Sequence, residues 1–136
     1  MSYAMTAALQ AAVFQRLEQD GAVQGYVSGA IYDAAPAGDV PGTYVVLGQE
    51  EARDRSDSTT NGAQHDFTVS VVSEAAGFQV AKAVASAISD SLVDADLVLS
   101  RGRLVSLRFL RARAERFSKG SHRKIDIRFR AVLEDI

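Results

Sequence analysis

The sequence contains no cysteine and no long apolar run, and both absences narrow what this chain can be. Without cysteine there is no disulfide, no thiolate metal ligand and no cysteine nucleophile. No stretch approaches the roughly 20 apolar residues that a membrane-spanning helix needs. Residues 1–14 lack the basic segment of a signal peptide, so none is expected. The composition, 47% hydrophobic and 24% charged, is typical of a soluble globular domain.

Residue patterns that carry catalysis or bind metals are also missing. The two histidines, His65 and His122, show no metal-ligand spacing, and both are predicted to be exposed in or beside loops. Residues 57–62 resemble the start of a calcium-binding loop, but Thr68 stands where a bidentate glutamate is required. The chain has neither a phosphate-binding glycine-rich loop nor a nucleophile elbow. We therefore predict no enzyme activity, no cofactor and no metal.

Hydrophobic periodicity predicts one α+β domain spanning residues 1–136. Apolar residues at four-residue steps predict two helices, over residues 3–20 and 74–93, with Gly21 ending the first and Ser73 capping the second. Short apolar or alternating runs predict strands at residues 43–49 and 66–73, and a further short strand at 97–99. Together with a C-terminal hairpin, they predict a mostly antiparallel sheet of about four to five strands, with both helices packed on one face.

Two segments between these elements read as loops. Residues 34–42 are rich in proline and glycine. Residues 50–64 are polar, and they predict a long hairpin loop that extends well away from the core and is mobile or functional. The charged residues at the start of this second loop are candidates for an interface: Glu50, Glu51, Arg53, Asp54, Arg55 and Asp57.

The clearest pattern in the sequence is a basic hairpin formed by residues 105–117 and 124–133, joined by a turn at 118–121. In its second strand, apolar residues from Ile125 to Leu133 alternate with charged ones, which predicts one core face and one charged face. In the first strand, Val105 and Phe109 are predicted to lie on one face, and the later positions of that same face are arginines. The candidate interface residues of this hairpin are Arg108, Arg111, Arg113, Arg128 and Arg130.

The charge of the chain is unevenly distributed. Residues 101–130 contain eleven basic and two acidic residues, a local charge of +9, while the remainder contains four basic and fifteen acidic residues, or −11. Such a distribution suits docking between copies or onto a charged partner. Alternatively, the arginines form a solvated face paired with the protein's own acids. A third reading is a nucleic-acid surface, although Phe109, Phe117 and Phe129 are assigned largely to the core, which argues against base stacking.

The order of short motifs along the chain resembles a known family. These motifs are Gly29-Ala-Ile-Tyr-Asp33, Pro36, Pro41-Gly-Thr-Tyr-Val-Val-Leu-Gly48, a helix starting near Gly77 and the C-terminal hairpin. In this order they resemble the tail-completion or tail-terminator proteins of tailed phages, which also occur in prophages and gene transfer agents.

The resemblance implies a structural virion protein. It would be a subunit of a ring, expected to be a hexamer, that caps the tail tube and joins the tail to the head connector. The implied place is the head-tail junction of the virion, after assembly in the bacterial cytoplasm. The implied partners are other copies, the major tail tube protein and a connector or stopper protein, with DNA passing through the ring without specific binding and no membrane involved. The alternatives are a head-tail connector of the stopper or adaptor type, or a nucleic-acid-binding module that uses the basic hairpin.

Overall fold

Three helices and five strands make up the residues that the computed structural model describes, which are 3–34, 42–117 and 121–136. Most of the predicted loop at 34–42 and of the predicted turn at 118–121 lies outside these residues. The elements in chain order are α1 (Thr6–Glu18), α2 (Gly21–Val27), β1 (Ile31–Tyr32), β2 (Thr43–Asp54), β3 (Gly62–Ser73), α3 (Gln79–Leu92), β4 (Arg103–Phe117) and β5 (His122–Glu134).

The strands form one sheet in the order β1-β2-β3-β5-β4. The short β1 runs parallel to β2, with Ile31 opposite Val45, and the other three pairings are antiparallel. The predicted α+β class and mostly antiparallel sheet are therefore confirmed, with three helices where two were predicted. The strand predicted at residues 97–99 does not form, although Leu97 and Leu99 still pack against the core.

The core lies between the helices and one face of the sheet. Along β5, every second residue from Ile125 to Leu133 is buried, as the alternation predicted. Phe129 is the largest of the fully buried side chains, and its ring packs against those of Phe67 and Phe109 at centroid distances of 5.6 and 6.4 Å. Burying a large apolar side chain of this kind contributes about 1.5–3 kcal/mol to folding.

The helices begin and end differently from the prediction. The first predicted helix, over residues 3–20, corresponds to α1, and α2 is a further helix that was not predicted. Asp20 accepts hydrogen bonds from the backbone N–H groups of Ala22 and Val23 and caps α2. Gly21 therefore begins a helix instead of ending one. The hydroxyl of Ser73 accepts a bond from the backbone N–H of Ala75, but α3 begins only at Gln79, so Ser73 does not cap it.

The segment predicted as a long loop, residues 50–64, is mostly strand. The hairpin was predicted correctly, but β2 continues to Asp54 and β3 starts at Gly62, which leaves a turn at residues 55–61. The prediction failed because the far half of β2 lies at the edge of the sheet and exposes both of its faces. A strand in that position is polar throughout and shows no alternation.

Two β-bulges change which way the side chains of β4 point. The pairing with β5 shifts at Val105 and again at Leu110, and each extra residue reverses the alternation that follows it. Phe109 faces the helices opposite Phe129, whereas Arg111 and the later arginine of the predicted series face the other side of the sheet. The prediction that these arginines continue the parity of Phe109 is therefore wrong.

Candidate interaction surface

The face of the sheet opposite the helices is the most distinctive surface of the described chain. No described helix covers it, and the strands present polar and charged side chains there. A groove of about 640 Å³ runs across this open face. Its lining includes Tyr44, Val46, Thr68, Ser70, Val72, Arg111, Arg113, Glu115, Phe117, Lys124, Asp126 and Arg128.

All five candidate arginines of the hairpin lie on this open face. The register places Arg108 of β4 directly opposite Arg130 of β5, and Arg111 directly opposite Arg128. Arg113 lies opposite Asp126. Like charges placed opposite each other on neighbouring strands destabilise a sheet unless an anion stands between or beside them.

Acids from β2 and β3 neutralise the two arginines on β5. Asp66 accepts two hydrogen bonds from the Arg130 guanidinium, at 2.8 Å from Nε and 3.0 Å from Nη2. These bonds hold the pKa of the Asp66 carboxyl below its ordinary value. Arg128 lies 3.7 Å from Glu51 and donates a bond of 3.3 Å to the hydroxyl of Thr68. Both β5 arginines are therefore held in place by acids of the same chain.

The far end of the open face carries weaker ion pairs. Arg113 lies 3.5 Å from Glu115, and Lys124 lies 3.7 Å from Asp126. The Asp126 carboxylate also accepts a hydrogen bond from the hydroxyl of Ser70. Exposed pairs of this kind contribute about 0–1 kcal/mol, so they orient side chains more than they stabilise the fold.

Within the described residues, Arg108 and Arg111 form no ion pair. Both are exposed on β4, the outermost strand, and each stands opposite another arginine. The reading in which the arginines pair with the protein's own acids therefore holds for Arg113, Arg128 and Arg130. Arg108 and Arg111 carry the remaining positive charge, and their predicted interface role stays untested.

The two adjacent glutamates of β2 have different surroundings. Glu51 lies on the open face, within 3.6 Å of Arg53 and near the β5 arginines. Glu50 points to the helix side, where its Oε1 lies 2.6 Å from the hydroxyl of Thr6 and 2.9 Å from Nδ1 of His65. Glu50 is thus committed to an internal contact, and its predicted interface role stays untested.

His65 is buried on β3, contrary to the prediction of an exposed loop residue. Its side chain is 0% exposed and its ring stacks on Tyr3 at a centroid distance of 6.1 Å. The burial depends on α1 and the residues just before it, which cross the sheet at this point and supply Tyr3 and Thr6. Sequence patterning around residue 65 cannot show a neighbour that lies about 60 positions away.

Of the remaining candidates, Asp54 is the last residue of β2, and Arg55 and Asp57 belong to the β2–β3 turn. Asp57 accepts hydrogen bonds from the backbone N–H groups of Thr59 and Thr60 at 2.8 Å each, and also from both hydroxyls. These bonds lower the pKa of Asp57 to about 2. An Asx-type arrangement of this kind shapes a turn, which accounts for Asp57 without a partner.

Aromatic side chains contribute more to the surface than the sequence predicted. Phe129 is buried as expected, but Phe109 is 48% exposed on the helix side and Phe117 is 36% exposed and lines the open-face groove.

Asp66 and Asp126 were also missed as parts of the site. The signal for them was present, since the apolar parity of β3 leaves Asp66, Thr68 and Ser70 on the charged face.

Neither a metal site nor a membrane segment is found in the described part of the chain. No group of three or more histidine or acidic residues there is placed to hold a metal ion. No helix among residues 3–34, 42–117 and 121–136 has the length and apolar character that a membrane crossing requires.

Comparisons with known proteins agree on one group. Residues 11–134 match the family model described as tail completion protein gp17. Among solved structures, a chain of the "Virion of native gene transfer agent (GTA) particle" is 57% identical and superposes with a TM-score of 0.92. That match covers 98% of this chain and 99% of the other. A comparison with curated proteins found no match.

Proposed function

The chain belongs to the tail completion protein gp17 family, and from this premise we propose that it is a subunit of a ring that caps the tail tube and joins the tail to the head connector. Members of this family are structural proteins of the virion tail, so this chain is a virion tail protein of a phage or a gene transfer agent. The proposal adds the ring, its expected six-fold symmetry, and its two neighbours, the tail tube protein and a connector or stopper protein.

The observation that carries the proposal is the arginine row on the open face. A subunit acting alone gains nothing from Arg108 and Arg111 standing opposite other arginines. An acidic surface of a neighbouring protein would relieve this repulsion. A rigid sheet that presents such a row suits a joint in an assembly, because complementary charge selects the right partner and orientation.

A ring also agrees with the uneven charge of the chain. A contact between two different patches closes into a ring when its rotation divides a full turn. The basic segment at residues 101–130 and the more acidic remainder of the chain are the source of two such patches in this proposal. We propose that DNA passes through the lumen of the ring without sequence-specific binding.

The proposal is tested by mixing the purified protein with tail tubes that lack it. The mass of the protein is measured alone and after mixing, and tube ends are imaged by electron microscopy. The expected result is a ring of subunits at one end of each tube. Bare tube ends, with a protein that stays monomeric in their presence, would refute the proposal.

Charge reversal of Arg111 tests the role of the open face. Arg111→Glu is expected to leave the subunit folded, since no described residue pairs with Arg111, and to reduce joining to tubes or connectors at least about tenfold, or about 1.4 kcal/mol. Glu18→Lys is the control charge reversal, because Glu18 is exposed at the end of α1 and lines neither the open-face groove nor the grooves beside the two sheet edges. Equal joining by both variants would remove the open face from the interface.

A head-tail connector of the stopper or adaptor type remains an alternative within the same structural class. Both roles need a charged docking surface, so the arginine row does not separate them. The discriminating observation is which partner binds. A connector would bind isolated heads in the absence of tails, whereas a tail terminator would bind isolated tubes in the absence of heads.

A nucleic-acid-binding module is the alternative from another class, and the structure gives it one supporting observation. Phe117 lines the same open-face groove as Arg111 and Arg113, and aromatic rings in an arginine-lined groove favour single-stranded nucleic acid. A gel shift of duplex and single-stranded DNA by the free subunit, repeated at several salt concentrations, tests this reading. Binding that falls steeply with salt would support it, and the absence of any shift would exclude it.

A further inference from the structure

We propose that neighbouring subunits in the assembly join their sheets edge to edge, with β4 of one subunit pairing with the far half of β2 in the next copy. This inference rests on the proposed function, since it specifies the joint of the ring. It is carried by three features of the subunit: two strand edges that no further described strand covers, the charges along those edges, and a largely apolar groove beside one of them.

The described sheet has an unpaired edge at both ends. β4 is fifteen residues long and pairs only with β5 among the described strands. At the other end, β1 covers β2 only at Val45 and Val46, so among the residues that the structure describes, 49–54 of β2 pair with β3 alone. Long free edges with unpaired backbone groups readily accept another strand.

The directions of the two edges fit each other. β4 runs antiparallel to β5, and β5 runs antiparallel to β3, so β4 has the same direction as β3 and the opposite direction to β2. When two copies stand side by side in the same orientation, β4 of one therefore meets β2 of the next in antiparallel order. The paired sheets then form one continuous hydrogen-bonded ladder.

The charge on the edges argues for this pairing and against pairing of β4 with another β4. β4 carries five arginines and a single acid, so two copies of β4 would bring arginines together: Arg103, Arg108, Arg111, Arg113 and Arg116. The far half of β2 carries three acids, Glu50, Glu51 and Asp54, and one cation, Arg53. Of these acids, Glu51 is the one that lies on the open face, the same face as Arg108. In a side-by-side alignment Arg108 and Glu51 stand at the same level of the sheet, because both align with the Asp66–Arg130 pair.

An apolar contact on the helix side adds to the charges. Phe109, a residue of β4, is 48% exposed. In the sheet register it aligns with Glu50 of β2. Next to the free edge of β2, a groove of about 450 Å³ lies between β2 and α1. Its lining includes Ala7, Phe14 and Leu47. A neighbouring Phe109 would lie against this groove and lose the water contact that it has in the single subunit.

Paired cysteines test the register of the joint. Ser106 and Arg53 both face the open side at one level, since each aligns with the Gln64–Val132 pair. The natural chain has no cysteine, so a disulfide in a Ser106→Cys/Arg53→Cys variant reports only this contact. Directly opposite residues in antiparallel strands have Cβ atoms about 4.5–5.5 Å apart, close to the spacing that a disulfide needs.

We expect the double variant, oxidised after ring assembly on tubes, to give a ladder of covalent oligomers. Each single variant is the control and should give no covalent oligomer, because a joint between two different edges leaves every cysteine without a partner. Dimers from Ser106→Cys alone would show that β4 pairs with itself and would overturn the proposal.

Proline at position 52 tests the edge itself, whatever the register. The Arg55 N–H bonds to the Gly62 carbonyl at 2.9 Å, and alternate residues of an antiparallel strand point away from the partner strand, so the N–H of Ala52 points outward. Ala52→Pro removes that donor and preserves the ladder within the subunit. We expect a folded subunit, by circular dichroism, whose assembly into rings weakens at least about tenfold.

Ala52→Val is the matched control, since it keeps the N–H and favours a strand. If rings form on tubes, yet the cysteine pair gives no ladder and Ala52→Pro assembles like Ala52→Val, the edge joint is refuted while the proposed ring stands. If no ring forms on tubes even with the unaltered chain, both proposals fail.

Discussion

Glu50 and Glu51 are adjacent acids that were both predicted to lie at an interface. The structure predicts opposite effects when each is replaced by alanine: one change lowers stability and the other lowers assembly. Glu50→Ala leaves His65 buried without the acceptor at its Nδ1, and Nε2 of the same ring already has no partner in the described chain. It also removes the acceptor of the Thr6 hydroxyl, which lies at 2.6 Å. The Thr6 contact fastens the start of α1 to the sheet, and the His65 contact joins β2 to β3 on the helix side.

The magnitude follows from the burial of these groups. A buried polar group that loses its partner costs about 1–3 kcal/mol, and the half-buried hydroxyl of Thr6 adds a smaller amount, so Glu50→Ala should destabilise the subunit by about 2–3 kcal/mol. For a domain of this size each kcal/mol lowers the melting temperature by about 4 °C, which gives a decrease of about 10 °C.

Glu51→Ala is the matched control for the same backbone strand. The Glu51 side chain is 65% exposed, and its contacts with Arg53 and Arg128 are long, at 3.6 and 3.7 Å. Such surface pairs contribute less than about 1 kcal/mol. Glu51→Ala should therefore keep its stability and lose assembly. Urea denaturation of both variants, beside a tube-binding assay, makes the comparison. Loss of less than about 0.5 kcal/mol in Glu50→Ala would refute the internal role of Glu50.

Three further predictions concern the stability of the subunit. Phe129→Ala should cost about 3–5 kcal/mol in chemical denaturation, because it empties the centre of the core; a cost below about 1 kcal/mol would contradict the packing. Asp66 has a lower pKa when folded than its ordinary value of 3.8, so its pairing with Arg130 stabilises the fold above that pH and is lost as pH falls through the folded pKa. Asp66→Asn should thus flatten the acid side of the stability profile, and an unchanged profile would refute the pairing. Gly102 has φ +80°, and an added Cβ would lie 2.8 Å from a backbone oxygen of β5, so Gly102→Ala should destabilise the subunit by more than about 1 kcal/mol. In Gly21→Ala the added Cβ meets nothing within 4 Å, so this control variant should be neutral or stabilising. Thermal unfolding of the two variants makes the comparison.

The elements that could be predicted from the sequence are those with one buried face and one solvent-exposed face. The alternation of β5, with Ile125 and Phe129 inside and Arg128 outside, is of this kind, and so are the apolar stripes of the helices. In each case a local pattern is sufficient, because the whole element lies against one core.

The sequence failed where structure depends on distant neighbours or on a single extra residue. The bulge at Leu110 reverses the faces of β4 without any change in composition, so the side on which Arg111 lies could not be read from parity. The polar sequence around His65 predicted a loop residue, but in the fold Tyr3, which precedes α1, stacks on its ring. The arginine row itself was predicted, but its division into paired and unpaired members required Asp66 and Glu51 from other strands.

The most direct test of the account is a cryo-electron microscopy map of tail-tube ends after the purified protein has been added. The account predicts a closed ring of this chain at one end of the tube, with the open sheet face and its exposed Arg108 and Arg111 against an acidic protein surface. A map with bare tube ends, or with a ring whose open sheet faces contact only solvent, would contradict it.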